Sequence, residues 1–271
     1  MPEDISVKNE PKQVEKKEYN FEFDELKMYY GLDYRVNKNI IIHIPTIGEI
    51  LEFGESRVYS SISPFVSNPT TYRTQLWDMG VDWNKLSDFE LFVMLVQGSK
   101  IEDTSLIFGE VDFGKLKPYG KEDTREIVLY DPEQQLEIDE ETYMHIREYI
   151  RMVFNQYPKE ELAKGKLAKL WIIDEEKDKI KREAEKNKGR KKSTLLPLVS
   201  ALLNHPGFKY DLDGTKKIGI FAFMDSVRRL QVYEQCISFS RGMHSGMMDV
   251  SKLGEEELNK RLNWLQDIYE K

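Results

Sequence analysis

Residues 139–154, DEETYMHIREYIRMVF, decide the fold at the centre of the chain. Their apolar side chains recur at spacings of three and four, which places them on one face of an α-helix. Asp139 is of a residue type that caps helix N-termini, and the two glutamates after it complement the positive end of the helix dipole. The sequence therefore predicts an amphipathic helix that ends at Pro158. Its buried face is formed by Tyr143, Ile146, Ile150, Val153 and Phe154.

Two β-hairpins are predicted before this helix. The first pairs residues 30–36 with residues 39–44, a run rich in β-branched side chains. The second pairs residues 126–130 with residues 135–138 around a turn that contains Pro132. Because such runs and turns are typical of antiparallel strands, the N-terminal half is predicted to contain small sheets.

Helices are also expected in the N-terminal half. Ser87-x-x-Glu90 is a capping box, in which the serine hydroxyl accepts the third amide of a helix and the glutamate accepts the cap amide. It precedes the apolar run of residues 91–96, so a buried helix of about ten residues is predicted there. The pattern of residues 49–53, which lie between two glycines, fits either a strand or one helical turn.

The C-terminal half carries helical patterns. Ser193 is predicted to cap a helix through residue 203, which the sequence at residues 204–207 interrupts. A long helix is predicted to begin at Thr215 and to continue toward Cys236. A last helix is predicted with one apolar face, formed by Leu258, Leu262, Leu265, Ile268 and Tyr269.

These patterns predict an α+β fold, with β-hairpins in the N-terminal half and a helical C-terminal half. Residues 1–20 are predicted to form a flexible arm, because they have no apolar face that could offset the entropy lost on ordering. Residues 21–158 are predicted to form a mixed α+β domain. Residues 159–192 are predicted to be a charged helix or linker, and residues 193–271 a helical domain.

The composition indicates a soluble intracellular protein. The 271 residues carry a formal net charge of -8, and 40% of them are hydrophobic, which is enough for a packed core. The N-terminal region lacks the apolar segment of a signal peptide, and no apolar run is long enough for a membrane span. An acidic surface repels anionic membranes and nucleic acid, so neither is expected as a partner. The basic cluster at residues 186–192 contains no aromatic side chain for base stacking and is interpreted as a solvated linker.

No catalytic residue, cofactor or metal ligand is predicted. The sequence lacks the common phosphate-binding, dinucleotide-binding, hydrolase and zinc-protease motifs. The four histidines do not have the common zinc spacings, and the single cysteine, Cys236, lies in an apolar run typical of a buried thiol. Asp211-x-Asp213-Gly214 resembles the start of a calcium loop but has Ala222 where such loops place a bidentate glutamate.

A charged segment interrupts the predicted long helix. Asp225 precedes Arg228 and Arg229 by three and four positions, so it forms either an intrahelical ion pair or part of a patch that contacts a partner. The helix is apolar on more than one side, and a methionine-containing loop follows it, as in surfaces that adapt to partners. The alternative is a closed core of three helices. The predicted partner-binding residues are Phe223, Met224, Arg228, Arg229, Met247, Met248 and Trp264.

Two stretches resemble proteins from the tail modules of tailed bacteriophages. Ile44-Pro45-Thr46-Ile47-Gly48-Glu49-Ile50, followed by Gly54-Glu55 and Tyr59, is similar to the N-terminal part of such proteins. Phe223-Met224-Asp225-Ser226-Val227-Arg228-Arg229, with Gly242, Ser245-Gly246, Asp249 and Trp264, is similar to their C-terminal part. Both motifs are short and contain no residues typical of a catalytic site.

The resemblance implies a protein without enzymatic activity that binds other phage tail proteins. A tail assembly chaperone would act in the host cytoplasm, whereas a structural component of the tail or baseplate would enter the virion. Self-association into a homo-oligomer is compatible with both functions. The remaining alternatives are an enzyme with a carboxylate site assembled from Glu49, Glu55 and Asp225, and a nucleic-acid binder acting through residues 186–192.

Overall fold

The fold is α+β, as the sequence predicts. The computed structural model describes residues 19–120, 126–187, 192–246 and 248–269. Within these ranges the chain forms twelve α-helices and five strands, and both of its small antiparallel sheets lie before residue 139. The predicted arm lies outside the described residues except for residues 19 and 20, and so do residues 188–191 of the predicted charged segment.

Helices and strands are mixed in the N-terminal half, and helices follow one another after it. The first eleven elements are α1 (Glu25–Tyr29), β1 (Tyr34–Arg35), β2 (Ile41–Ile42), α2 (Ile47–Phe53), α3 (Glu55–Val66), α4 (Arg73–Asp78), α5 (Asp88–Val96), α6 (Ile101–Phe108), β3 (Lys117–Gly120), β4 (Ile127–Asp131) and β5 (Leu136–Ile138). The later helices are α7 (Glu140–Phe154), α8 (Lys166–Asn187), α9 (Leu195–Leu203), α10 (Leu212–Lys216), α11 (Ile220–His244) and α12 (Glu255–Leu262). A short 3-10 helix, Phe113–Lys115, precedes β3.

Both predicted β-hairpins are confirmed, in shortened form. β1 and β2 pair antiparallel over two residues each, with Tyr34 opposite Ile42. β4 and β5 also pair antiparallel, with Leu129 opposite Ile138. Hairpins this short are marginal alone. Ile42, Leu129 and Ile138 are buried in the main hydrophobic core, so packing against helices stabilises both hairpins.

The second sheet has a third strand that the sequence analysis does not predict. β3 pairs along the other edge of β4, from Lys117 opposite Tyr130 to Gly120 opposite Ile127. All four residues of β3 are exposed, so the strand has no alternation of apolar and polar side chains. It also contains Pro118, which is tolerated on an edge strand and weakens any prediction of a strand.

Two capping boxes determine where helices begin. The predicted box at α5 is confirmed, since Glu90 Oε2 accepts the Ser87 amide at 2.7 Å and Ser87 Oγ accepts the Glu90 amide at 3.1 Å. A second box begins α2, where Glu49 Oε2 accepts the Thr46 amide at 2.7 Å and Thr46 Oγ1 accepts the Glu49 amide at 3.2 Å. Of the two interpretations of residues 49–53, the helical one is therefore correct.

The predicted amphipathic helix, α7, lies within the main core. All five of its predicted core residues are buried. It packs against α3, α5, α11 and β5, which come from both halves of the chain. The helix ends at Phe154, earlier than the predicted end at Pro158, because Asn155 adopts a left-handed conformation with φ of 52° that closes it.

One hydrophobic core includes residues from both sides of the charged segment. Leu195, Ile220 and Phe223, which lie in the predicted helical domain, belong to the same buried cluster as the core residues of α7. A smaller cluster around Trp83 joins α4, α5 and α8. Residues 159–192 therefore mark a change in composition, and those of them that the structure describes are mostly exposed, while the packing between the two sides is continuous.

Two C-terminal helices differ in extent from those predicted. The helix predicted to begin at Thr215 begins at Ile220, and Thr215 lies in the separate short helix α10. The two helices are separated because Gly219 forms an isolated β-bridge with Thr46, which holds the backbone extended there. The last helix is also shorter than predicted, since α12 ends at Leu262 and an irregular segment follows it.

Two arginines of α7 are buried. Arg151 donates to the carbonyl oxygen of Val66 from Nε at 2.9 Å and from Nη2 at 2.6 Å. Val66 is the last residue of α3, where carbonyls lack intrahelical partners. Burial lowers the pKa of Arg151, and the charge of the neighbouring Arg147 lowers it further. Arg147 pairs with Asp88 at the start of α5 at 2.7 Å, so α7 binds the end of one helix and the beginning of another.

The residues before α1 attach to α7 through aromatic rings. The ring of Phe21 stacks on His145 with centroids 4.4 Å apart, and Phe23 contacts both His145 and Tyr149. The Tyr34 hydroxyl and His145 Nε2 are hydrogen-bonded at 2.7 Å. Burial lowers the pKa of His145, so the neutral imidazole is the form that this stack favours.

We expect Phe92→Ala to lower the free energy of unfolding by about 3–5 kcal/mol, because it removes a fully buried ring. The ring contacts those of Phe65 and Tyr143, so the cavity would lie among α3, α5 and α7. Urea denaturation measures the change. Met94→Ala, at an exposed position of the same helix, is the matched control and should cost less than about 1 kcal/mol. Equal losses for both variants would contradict this packing.

Protonation of His145 should destabilise the fold in acid. Because folding lowers the pKa of His145 below its unfolded value of about 6.5, its contribution to stability is complete above that pH and is lost as the pH falls further. His145→Gln should therefore show a smaller decrease in melting temperature than the wild type between about pH 7 and pH 5. His244→Gln, at an exposed position, is the control and should follow the wild type. Parallel curves for wild type and His145→Gln would refute the assignment.

Candidate functional site

Of the seven predicted partner-binding residues, three lie apart from the C-terminal end of the chain, and a fourth is not described. Phe223 and Met224 are buried in the chain's own core, where they stabilise the fold. Met248 is 40% exposed, and its amide donates to the Gly242 carbonyl near the end of α11 at 3.3 Å. Met247 lies outside the described residues. Of these four, Met248 is the one that the structure places at the surface.

The other three residues meet at the C-terminal segment, which we define as residues 263–269. Arg229 Nη1 donates to the carbonyl oxygens of Trp264 at 3.0 Å and Gln266 at 2.8 Å. The indole of Trp264 lies edge-on to the ring of Tyr233, with centroids 5.9 Å apart. Arg229 thus binds the main chain of the segment, and Tyr233 contacts one of its side chains.

Tyr269 anchors the end of the C-terminal segment. Its hydroxyl donates to Asp225 Oδ1 at 2.9 Å, and its ring stacks on Phe221 with centroids 5.3 Å apart. The guanidinium of Arg228 lies 5.4 Å from the centre of the same ring. Burial raises the pKa of Tyr269, and the charge of Asp225 raises it further, so the phenol stays protonated and donates the hydrogen bond.

Asp225 does not form the intrahelical ion pair that its spacing indicates. Among the described residues it has no ion pair with Arg228 or Arg229, and its described hydrogen bond comes from Tyr269. Both arginines contact the C-terminal segment instead. The interpretation as an intrahelical pair is therefore wrong, because the buried carboxylate has a donor from outside the helix, and the arginines reach acceptors and a ring beyond their own helix.

Residues 166–187 of the charged segment form the helix α8, which has one face attached to the rest of the protein. Lys169 Nζ lies 2.6 Å from Asp82 Oδ2, and Arg73 Nε of α4 lies 2.5 Å from Glu176 Oε2. Ile173, between these two positions, is the one residue of α8 that is buried. Spacings of three and four place Lys169, Ile173 and Glu176 on the same side of the helix.

The opposite side of α8 exposes two large apolar side chains. Trp171 is 82% exposed and Leu167 is 80% exposed. They are four residues apart, so their side chains are neighbours on the helix surface. Single exposed apolar residues are common, but tryptophan is enriched among the residues that dominate protein–protein binding. This pair is not among the residues predicted from the sequence. The sequence does contain a signal for this pair. Leu167 and Trp171 are apolar and four positions apart, and the other apolar side chains of the helix lie on different sides of it.

A cleft of 630 Å³ lies beside β2 and α6, with His43 and Asp33 on its wall. His43 Nδ1 lies 2.7 Å from Asp33 Oδ1, and His43 Nε2 lies 3.5 Å from Glu49 Oε2. Partial burial alone would raise the pKa of Glu49, but hydrogen bonds from Thr46 and the charge of His43 together outweigh it, so the pKa is lowered. A histidine between two carboxylates can act as a general acid or base toward a bound molecule. The same contacts also have a structural role, because they join the end of β2 to α2.

The carboxylates of the enzyme hypothesis have separate partners. Glu49 completes the capping box of α2, and Glu55 accepts two backbone amides at the start of α9 at 2.5 and 2.8 Å. Asp225 binds the C-terminal segment, and Asp211, from the calcium-like sequence, caps α10. Within the described parts of the chain, no group of three or more His, Cys, Asp or Glu residues could hold a metal ion.

The candidate functional surfaces are the C-terminal segment on α11 and the outer face of α8, which we define as the side that carries Leu167 and Trp171. No protein-family model matches the chain, and neither a curated protein nor a solved structure is detectably similar to it. No helix in the described ranges is long and apolar enough to cross a membrane.

We expect Arg229→Ala to loosen the C-terminal segment, because the guanidinium binds two of its carbonyls. Peptides that cover residues 263–269 should exchange their amide hydrogens faster, as measured by mass spectrometry. The loss in global stability should stay near 1–2 kcal/mol, about the contribution of these hydrogen bonds.

Arg241→Ala is the matched control for this variant, since Arg241 is exposed on the same helix. It should leave hydrogen exchange in residues 263–269 unchanged. If Arg229→Ala also left it unchanged, the anchoring role of Arg229 would be refuted.

Proposed function

We propose that the chain is a non-enzymatic phage tail morphogenesis protein, a tail assembly chaperone that binds other tail proteins in the host cytoplasm. The phage assignment rests on the resemblance of residues 44–59 and 223–264 to proteins of tail modules. The observation that carries the binding function is the exposure of Leu167 and Trp171 on the outer face of α8. No cofactor takes part in this function.

The outer face of α8 has the composition of a small protein-binding surface. Burying an apolar side chain of this size against a partner contributes roughly 1.5–3 kcal/mol. Asp174 and Asp178 continue the same face of the helix, at i+7 and i+11 from Leu167, and both are exposed. A tail protein with an apolar pocket bordered by basic side chains would complement this surface in shape and charge.

A permanent structural component of the tail or baseplate is the second candidate function. It is favoured by the length of α8, which has 22 residues of which one is buried, as in an element that other subunits cover. Mass spectrometry of purified particles separates the two functions. A chaperone should be absent from the particle, whereas a structural component should be present in fixed amount.

The double variant Leu167→Ser/Trp171→Ser should lose its association with tail proteins at unchanged thermal stability, because both side chains already lie in water. The measurement is affinity purification from cells that express the tail genes, followed by identification of the tail proteins. Melting curves of the purified variant test whether its thermal stability is unchanged. Met248→Ser tests the predicted C-terminal surface in the same way.

Ile180→Ser is the matched control, because Ile180 is 51% exposed on the same helix and lies off the face that Leu167 and Trp171 share. It should retain the association. Retention by the double variant would exclude the outer face of α8 as the binding site. A marked fall in the melting temperature of the double variant would mean that the pair supports the fold.

A further inference from the structure

The C-terminal segment and α12 are joined to the rest of the chain by a connection whose described residues are exposed or half-buried. Residues 245–254 connect α11 to α12 and include Gly246, whose φ of 72° is accessible mainly to glycine. α12 itself has no buried residue. Its half-buried Leu258 and Leu262 pack on α11, and the guanidinium of Arg261 lies 5.4 Å from the centre of the Phe239 ring. Apart from Tyr269, neither α12 nor the segment after it contributes a residue to the main core.

The contacts on α11 have the form of a peptide-recognition site. Arg229 binds two main-chain carbonyls, which any sequence supplies. Phe221 and Asp225 then select an aromatic residue with a hydroxyl group, three positions after the second carbonyl. Asp225 is more than nine-tenths buried, so its carboxylate needs a donor and would be costly to leave without one.

We propose that this site, formed by Phe221, Asp225, Arg228 and Arg229, also binds the C-terminal segment of a second copy of the chain. Two chains would exchange α12 and residues 263–269, so that each segment lies on the other chain's α11. The exchanged contacts are the same as those within one chain, which makes such an exchange a low-cost route to a dimer. This inference adds self-association to the proposed function and does not rest on the phage assignment.

The length of the connection and the balance between the two forms agree with this exchange. The ten residues 245–254 can span up to about 33 Å when extended, at about 3.3 Å per residue. In the closed monomer the tether gives the segment an effective concentration on the order of millimolar. The exchanged dimer therefore competes with the closed monomer when the protein concentration approaches this value, as at a site of assembly. In dilute solution the closed monomer prevails.

Thiol cross-linking in the full-length chain tests the exchange. Tyr233→Cys and Trp264→Cys replace two rings that are in contact, in a chain where Cys236→Ala removes the native thiol. A bismaleimide reagent then joins the two thiols, so a closed chain becomes a covalent monomer and an exchanged pair becomes a covalent dimer. Tagged and untagged versions are mixed at increasing concentration, diluted, cross-linked and separated on a denaturing gel. We expect tagged–untagged dimers, in a fraction that rises with the concentration at mixing.

Two further variants make the outcome decisive. Deleting residues 248–252 shortens the connection and should shift the trapped species from monomer to dimer. The single variant Tyr233→Cys, in the same background, reports random collision and should give few dimers. Covalent monomers alone at every concentration and with the shortened connection, or an equal dimer yield from the single-cysteine control, would overturn the proposal.

Sedimentation of the unmodified chain provides a reading that does not depend on the cysteine variants. At protein concentrations that approach the millimolar range it should show a monomer–dimer equilibrium. Arg229→Ala should leave the midpoint of this equilibrium nearly unchanged, because each chain makes the same Arg229 contacts in both states. A strict monomer at those concentrations, or a dimer that Arg229→Ala weakens at least several-fold, would also overturn the exchange. Neither result bears on the association of the outer face of α8 with tail proteins, so the two proposals fail separately.

Discussion

The buried guanidinium of Arg151 constrains the arrangement of the whole core. A buried positive charge is tolerated only where its donors find acceptors, and here Nε and Nη2 both donate to the Val66 carbonyl at the end of α3. This requirement fixes the end of α3 against the last turn of α7. The hairpins, α5 and α11 pack around these two helices, and Arg147 extends the same constraint to α5 through Asp88. The fold therefore depends on a polar contact inside an apolar core.

The elements that could be predicted from the sequence are those that local interactions decide. The period of α7, the cap at Asp139 and the box at Ser87 each lie within a few residues of what they stabilise. The box at Thr46 has the same signature but begins a helix of seven residues, too short for a periodic pattern to reveal. β3 depends on its pairing with β4, and the start of α11 at Ile220 depends on a bridge to a residue far earlier in the chain.

The candidate surfaces were less accessible to prediction, for a related reason. Arg229 could be recognised as noteworthy, but it binds carbonyl oxygens 35 and 37 positions away, and backbone acceptors leave no mark in a sequence. The spacing of Asp225 favours a local ion pair, whereas the fold supplies a distant phenol in its place. The exposure of Trp171 depends on which side of α8 is attached to the protein. The tertiary contacts of Lys169, Ile173 and Glu176 decide this, and they cannot be read from the sequence.

The position of Trp171 also has an optical consequence. The four tryptophans of the chain lie in different environments, from Trp83, which is 2% exposed, to Trp171 in nearly full contact with water. An indole in water emits at longer wavelengths than a buried one and is open to collisional quenchers. A molecule that covers the outer face of α8 would shift the emission of Trp171 to shorter wavelengths and protect it from quenching by iodide. The fluorescence of the unmodified chain therefore reports whether this face is covered.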